Sequence, residues 1–251
     1  MAGSIRVRNL VIGEGTPKIC VPLTGRDLPT LLSQVAAARL KGADLLEWRA
    51  DFFRVLRLEQ IGEIVRALRD RGGSLPLLFT FRTQSEGGEW QPLVGEYQLL
   101  CEAAITGKAD LVDIQPSMGE SLFRKLAESA HAVDVSVVAS YHDFEKTPPQ
   151  REMTDRLVRM RSLGGDISKL AVMPHSPYNL LALLAATLEA NRQLDCPLIT
   201  MSMGRLGVAS RLLGETFGSA VTFGAVEDAT APGQVEIGAL RELLEFFGSG
   251  E

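Results

Sequence analysis

Eight short apolar runs, each followed by a stretch of helical period, predict an α/β fold. Eight such units in 251 residues predict a closed (β/α)8 TIM barrel, with an open doubly wound sheet as the second choice. Nothing marks a linker, an internal repeat or a low-complexity tract, so residues 1–251 read as a single barrel domain.

Residues 5–13 alternate in polarity and end before Gly15-Thr16-Pro17, so residues 1–16 read as an N-terminal β-hairpin closing one end of the fold. The units then follow in order. The run 18–23 precedes helical period over 27–40, and 45–51 precedes 58–69. The run 77–82 leads through a Gly-containing loop to 96–106, and 111–115 leads to 120–130. Next come 135–142 with 150–162, and 165–174 with 178–191. The last two are 198–203 with 206–213, and 220–225 with 234–247.

Composition narrows the function. A net charge of −5 leaves no basic footprint for nucleic acid. Cys20, Cys101 and Cys196 are odd in number, lack metal-ligand spacing and suit a reducing compartment. No run approaches the ~20 apolar residues of a membrane span. The N-terminus, with Arg6, Arg8 and Glu14, lacks the apolar core of a signal peptide, so a cytoplasmic protein with no membrane partner is expected. There is no Gly-rich dinucleotide fingerprint, P-loop, HExxH or Cys/His set, so chemistry without a cofactor or metal is expected.

The strand around Lys169 holds a lysine in an otherwise apolar run between Gly164-Gly165 and Pro174. Strand residues alternate faces, so Ile167, Lys169, Ala171 and Met173 share one side. Lysine is almost never buried unless paired. An ammonium among apolar neighbours loses hydration, which favours the neutral amine, a nucleophile toward carbonyls. The bland alternative is a lysine that snorkels from a strand end or pairs with Asp166.

Barrel chemistry sits at the C-terminal strand ends. Polar residues there are Glu47, Arg49 and Asp51, spaced by two on one face; Arg82; Asp113 and Gln115; Ser140 and His142; Lys169; and Thr200 or Met203. Each alone has an ordinary structural reading, as an ion pair, a strand cap or a satisfied histidine. Together they break apolarity at one level of successive strands, where function is expected. Histidine adds a general acid/base of ordinary pKa ~6.5, and arginines add forked donors for a carboxylate or phosphate. Arg211 on the helix after the seventh strand is a candidate anion clamp. Glu86 in Ser85-Glu86-Gly87-Gly88 is a lid residue or a solvated charge. Thr230 and Gln234 flank the turn after the eighth strand.

These residues resemble type I 3-dehydroquinate dehydratases, the Schiff-base lyases of the shikimate pathway. The resemblance is carried by Leu46-Glu47-Trp48-Arg49-Ala50-Asp51, Phe79-Thr80-Phe81-Arg82, Glu86-Gly87-Gly88 and Ser140-Tyr141-His142-Asp143-Phe144. It continues through Lys169-Leu170-Ala171-Val172-Met173-Pro174, Met201-Ser202-Met203-Gly204, Ser210-Arg211 and Ala231-Pro232-Gly233-Gln234. It implies a (β/α)8 barrel, commonly a homodimer, with no cofactor or metal. It also implies dehydration of 3-dehydroquinate to 3-dehydroshikimate, the third step of chorismate biosynthesis. By resemblance Lys169 forms the imine, His142 is the general acid/base and Glu86 is tied to its proton traffic. Arg211 would clamp the substrate carboxylate, with Glu47, Arg49, Arg82, Met203, Thr230 and Gln234 as further binding residues. Gln115 falls where a carboxylate is expected in some members, which would leave the site one negative charge poorer. Two other readings stay open: a class I Schiff-base aldolase acting on a sugar phosphate, and a non-catalytic ligand-binding barrel.

Overall fold

The computed structural model describes residues 3–226 and 233–248. Its centre is a ring of parallel strands: β3 (Lys18–Leu23), β4 (Leu45–Arg49), β5 (Leu77–Thr80), β6 (Leu111–Ile114), β7 (Ser136–Asp143), β8 (Ile167–Val172), β9 (Leu198–Ser202) and β10 (Val221–Ala225). They are hydrogen-bonded in the order β10-β3-β4-β5-β6-β7-β8-β9. A parallel bridge Leu198↔Ser219 and the bond from Ala220 N to Leu198 O (2.7 Å) join β9 to the approach of β10, so the sheet is a barrel rather than an open one. A two-residue strand, β11 (Val235–Glu236), pairs with the end of β10.

The helices α1 (Leu28–Leu40), α2 (Leu58–Gly72), α3 (Val94–Thr106), α4 (Glu120–His131), α5 (Gln150–Ser162) and α6 (Pro177–Gln193) follow β3 to β8 in turn. Their starts carry local signals: Asp27 accepts from Thr30 N at 2.9 Å to cap α1, and Ser176 with Asn179 forms a capping box before Pro177 on α6. After β9 the helix expected over 206–213 is broken into a turn Arg205–Gly207, α7 (Val208–Leu212) and α8 (Gly214–Phe217). The opening turn goes with a glycine: a Cβ on Gly207 would lie 2.1 Å from Ser202 O, so the chain folds back on β9 too closely for a side chain there. The last helix, α9 (Ile237–Gly248), begins three residues later than the sequence pattern suggests, because Val235 and Glu236 are drawn into the strand pair.

Alternation along each strand splits the apolar residues into two sets. Outward residues such as Val21, Trp48, Phe79, Val112, Ala139 and Leu170 pack under the helices. Inward residues Cys20, Leu45, Leu78, Leu111, Val138, Ile167, Ile199 and Val221 fill the barrel floor. The antiparallel hairpin of β1 (Ile5–Val7) and β2 (Leu10–Ile12) lays Val7 and Ile12 against that floor. Cys20, Cys101 and Cys196 are buried free thiols, and burial pushes each above the ordinary thiol range. No described helix is long and apolar enough to cross a membrane.

Candidate active site

Two residues beyond the floor, the inward positions turn polar on β4 to β8, while β3, β9 and β10 place Pro22, Met201 and Phe223 at that level. The polar members of this second layer are Glu47, Thr80, Asp113, Ser140 and Lys169, all buried. Strand register sets Ser140 beside Lys169, and Lys169 beside Ile199. The Lys169 amine points into the barrel. It donates to Glu47 Oε1 at 3.2 Å, stands 3.8 Å from Asp113 Oδ2, and lies 4.5 Å from the centroid of the Phe223 ring. The apolar surround expected from its own strand is therefore corrected: neighbouring strands bring two carboxylates. Asp166 takes no part in this, since it bonds His131 and the Val137 N–H.

The carboxylates are themselves fixed. Glu47 Oε1 also accepts from Thr80 Oγ1 at 2.9 Å. Burial would raise the Glu47 carboxyl, but the charges of Lys169, Arg49 and Arg82 and the Thr80 bond hold it below the usual range. Arg82 donates to Asp113 Oδ2 and to Ser140 Oγ, each at 2.8 Å, and Ser140 Oγ donates to Asp113 Oδ1 at 2.6 Å. Burial alone would favour the neutral guanidine, yet Asp113 and Glu86 outweigh it and keep Arg82 firmly charged.

His142 ends the inward face of β7, with its side chain 10% exposed. Glu86 Oε2 accepts from the His142 N–H at 3.0 Å and faces its Nδ1 at 3.2 Å. Glu86 Oε1 accepts from Ser117 Oγ at 2.6 Å, and Arg82 Nη1 lies 3.5 Å from Oε2. A carboxylate ringed by donors assigns the imidazole proton to Nδ1 and leaves the Nε2 lone pair available. Burial, then the charges of Arg82, Lys169 and Arg49, push His142 well below its ordinary value, so the ring is neutral at neutral pH. Burial raises the Glu86 carboxyl, against the opposing effects of Arg82, Ser117 and Gln115.

The expected positions divide as follows. Glu47, Arg49, Arg82, Glu86, His142, Lys169, Met203, Arg211 and Gln234 line one pocket at the C-terminal end of the strands. Arg211 is buried there, with Nη1 3.8 Å from Met201 Sδ, and burial lowers its guanidinium to about 10. Thr230 lies outside the described residues. Asp51 is not on the strand face assigned to it: β4 ends at Arg49, and Asp51 sits in the turn Ala50–Phe52. From there it grips Arg49 with two 2.8 Å bonds and aims that guanidinium. Thr200 points outward and bonds Thr187 under α6, so Met203 is the residue of that pair that reaches the pocket. Gln115 does not line the pocket. Its amide clamps Thr83 through N–H···Oε1 at 3.0 Å and Nε2–H···Oγ1 at 2.8 Å, bracing the loop that carries Glu86.

The strand-end pattern in the sequence includes Asp113 and Ser140 without giving either an individual role, Phe144 stands only in a quoted motif, and Phe223 and Ser117 are not singled out. Phe223 follows from alternation in β10, which sets Val221 and Phe223 inward. Ser117 lies in a turn with no periodic signal.

Fold and site together define a parallel barrel enzyme whose polar mouth is built around a buried lysine amine and a neutral histidine–glutamate pair. A family model described as type I 3-dehydroquinase matches residues 19–251. The chain is 45% identical over 245 residues to a 3-dehydroquinate dehydratase of Bacillus licheniformis, covering 96% of each. It is 45% identical over 250 residues to one of Klebsiella pneumoniae, covering 98% of this chain and 99% of that one. Among solved structures, the type I 3-dehydroquinate dehydratase of Clostridium difficile, with covalently modified comenic acid, matches with a TM-score of 0.95 at 40% identity over 100% of both chains. The chain belongs to the type I 3-dehydroquinase family.

Proposed function

We propose that the barrel mouth dehydrates 3-dehydroquinate to 3-dehydroshikimate through an imine on Lys169. The observation that carries this reading is the placement of one buried amine and one neutral, carboxylate-hinged imidazole in the same pocket.

The steps balance around His142. The neutral ring takes a proton from the Lys169 ammonium, freeing its lone pair to attack the C3 ketone. A second proton passes from nitrogen to the former carbonyl oxygen. The carbinolamine then loses that oxygen as water, with the proton held by His142, and leaves a protonated imine. His142, neutral again, removes the C2 proton. The C–H pair becomes C2=C3, and the C=N pair returns to nitrogen as an enamine. The enamine expels the C1 hydroxyl, which leaves as water with the proton His142 holds, and C1=C2 forms. Water hydrolyses the resulting imine to release the product ketone and the amine. Arg211 suits the substrate carboxylate, and Glu47, Arg49 and Arg82 suit its ring hydroxyls and the imine end.

The reading extends to a homodimer, as the family resemblance implies, working in the reducing cytoplasm that three buried free thiols suit. The test is an absorbance assay for the conjugated product. Wild type should turn over 3-dehydroquinate and leave sugar phosphates unchanged, and Lys169→Ala should lose roughly 10⁴-fold or more in turnover with an unchanged circular dichroism spectrum. Retained turnover in that variant removes the lysine from the mechanism. Turnover of sugar phosphates instead favours the aldolase alternative.

A further inference from the structure

We propose that Phe223 is a catalytic residue whose ring face stabilises positive charge on the Lys169 nitrogen as that charge builds during the reaction. This rests on the imine reading above.

Phe223 is buried on the inward face of β10, paired in register with Cys20 on the adjacent strand β3. The Lys169 nitrogen stands 4.5 Å from its ring centroid, inside the distance at which an aromatic quadrupole attracts a cation. One arc of the pocket carries Glu47, Arg49, Arg82, Glu86 and His142; on the other, Pro22, Ala171, Met201 and Met203 stand with Phe223, and Arg211, against Met201, and Gln234 are the polar members. The ring therefore meets the nitrogen in a desolvated place, where such attraction is strongest.

The chemistry makes this partner matter. An ammonium has three N–H bonds to share with Glu47 and its other acceptors. Condensation with a ketone removes two of those hydrogens, so the protonated imine keeps the charge but only one N–H. Hydrogen bonding at nitrogen falls while the need to stabilise charge does not. An aromatic face needs no N–H to act. The carbinolamine and the enamine carry no charge on nitrogen, and the protonated imine does. Phe223 thus lowers the barriers of carbinolamine breakdown and of C1–O cleavage, in which nitrogen gains charge. It does not favour C2 deprotonation, in which nitrogen loses it.

The experiment replaces Phe223 in the full chain with 4-fluoro-, 3,5-difluoro- and 3,4,5-trifluorophenylalanine, which drain the ring face at nearly constant size. With 3-dehydroquinate, the Lys169 adduct captured by borohydride should fall stepwise along the series. Turnover should fall in parallel, by roughly 10-fold at the trifluoro ring, while hydrogen exchange at C2 of recovered substrate slows less. Trapping and turnover that stay flat along the series overturn the proposal, even if Phe223→Leu is impaired, because the ring is then only packing. Absence of any adduct in the unsubstituted enzyme sinks the imine reading itself. An adduct indifferent to fluorination sinks the ring proposal alone.

Discussion

His142 and Glu86 show how single residues acquire a task from their surroundings. Free histidine titrates near pH 6.5, but here burial and three nearby cations resist a further positive charge. The folded ring stays neutral as pH falls through 6.5, while the unfolded chain takes up the proton. Stability therefore declines from about pH 6.5 downward until the folded ring also titrates. The prediction is that the imidazole nitrogen shifts of His142 stay flat between pH 8 and pH 6 in an NMR titration of the free protein. A midpoint near 6.5 would contradict the depressed value. Lys169 and His142 are legible in the sequence because each interrupts an apolar strand with a charge or a ring nitrogen. What surrounds Lys169 is not, because Glu47 and Asp113 arrive from strands 122 and 56 residues away and only closure of the barrel brings them within 4 Å.

At the scale of elements, the loop after β5 delivers Glu86 to β7. It is tied by Thr83 O, which accepts from both Glu86 N (3.0 Å) and Gly88 N (2.9 Å), and by the Gln115 clamp on Thr83. Gly87 adopts φ +85° against Phe144, and a Cβ on Gly88 would lie 1.9 Å from Arg82 O. Gly88→Ala must push the loop off Arg82. The expected cost is about 2 kcal/mol of stability, a melting decrease of roughly 4–8 °C, and a loss of turnover of about 10²-fold. Gly95→Ala, with nothing within 4 Å of its added Cβ, serves as a control that should match wild type. A Gly88→Ala protein that melts and turns over like wild type contradicts the tether. The Gly-Gly pair marks this loop in the sequence. That Gln115 braces it is not legible, because strand alternation places Gln115 on the inward face while its side chain turns to the loop backbone. The exit of Asp51 from its strand is hidden for the same kind of reason, since the residue spacing continues into a turn of different geometry.

The whole molecule separates stability from chemistry along the barrel axis. Apolar residues fill the floor and receive the hairpin, and the polar layer begins one alternation higher. The eight-fold rhythm of strand and helix is legible because each strand is buried on both sides and each helix on one. The turn that opens the segment after β9 is not, because it depends on the approach of Gly207 to Ser202. The barrel's contribution is to bury a single lysine: Lys18 is half-buried, and Lys41, Lys108, Lys125 and Lys146 are exposed. Borohydride reduction in the presence of 3-dehydroquinate, followed by peptide mass analysis, reads that selection directly. One reduced adduct is expected, on the peptide containing Lys169, and only when substrate is present. No adduct, or one on any of the other five lysines with Lys169 unmodified, would contradict it.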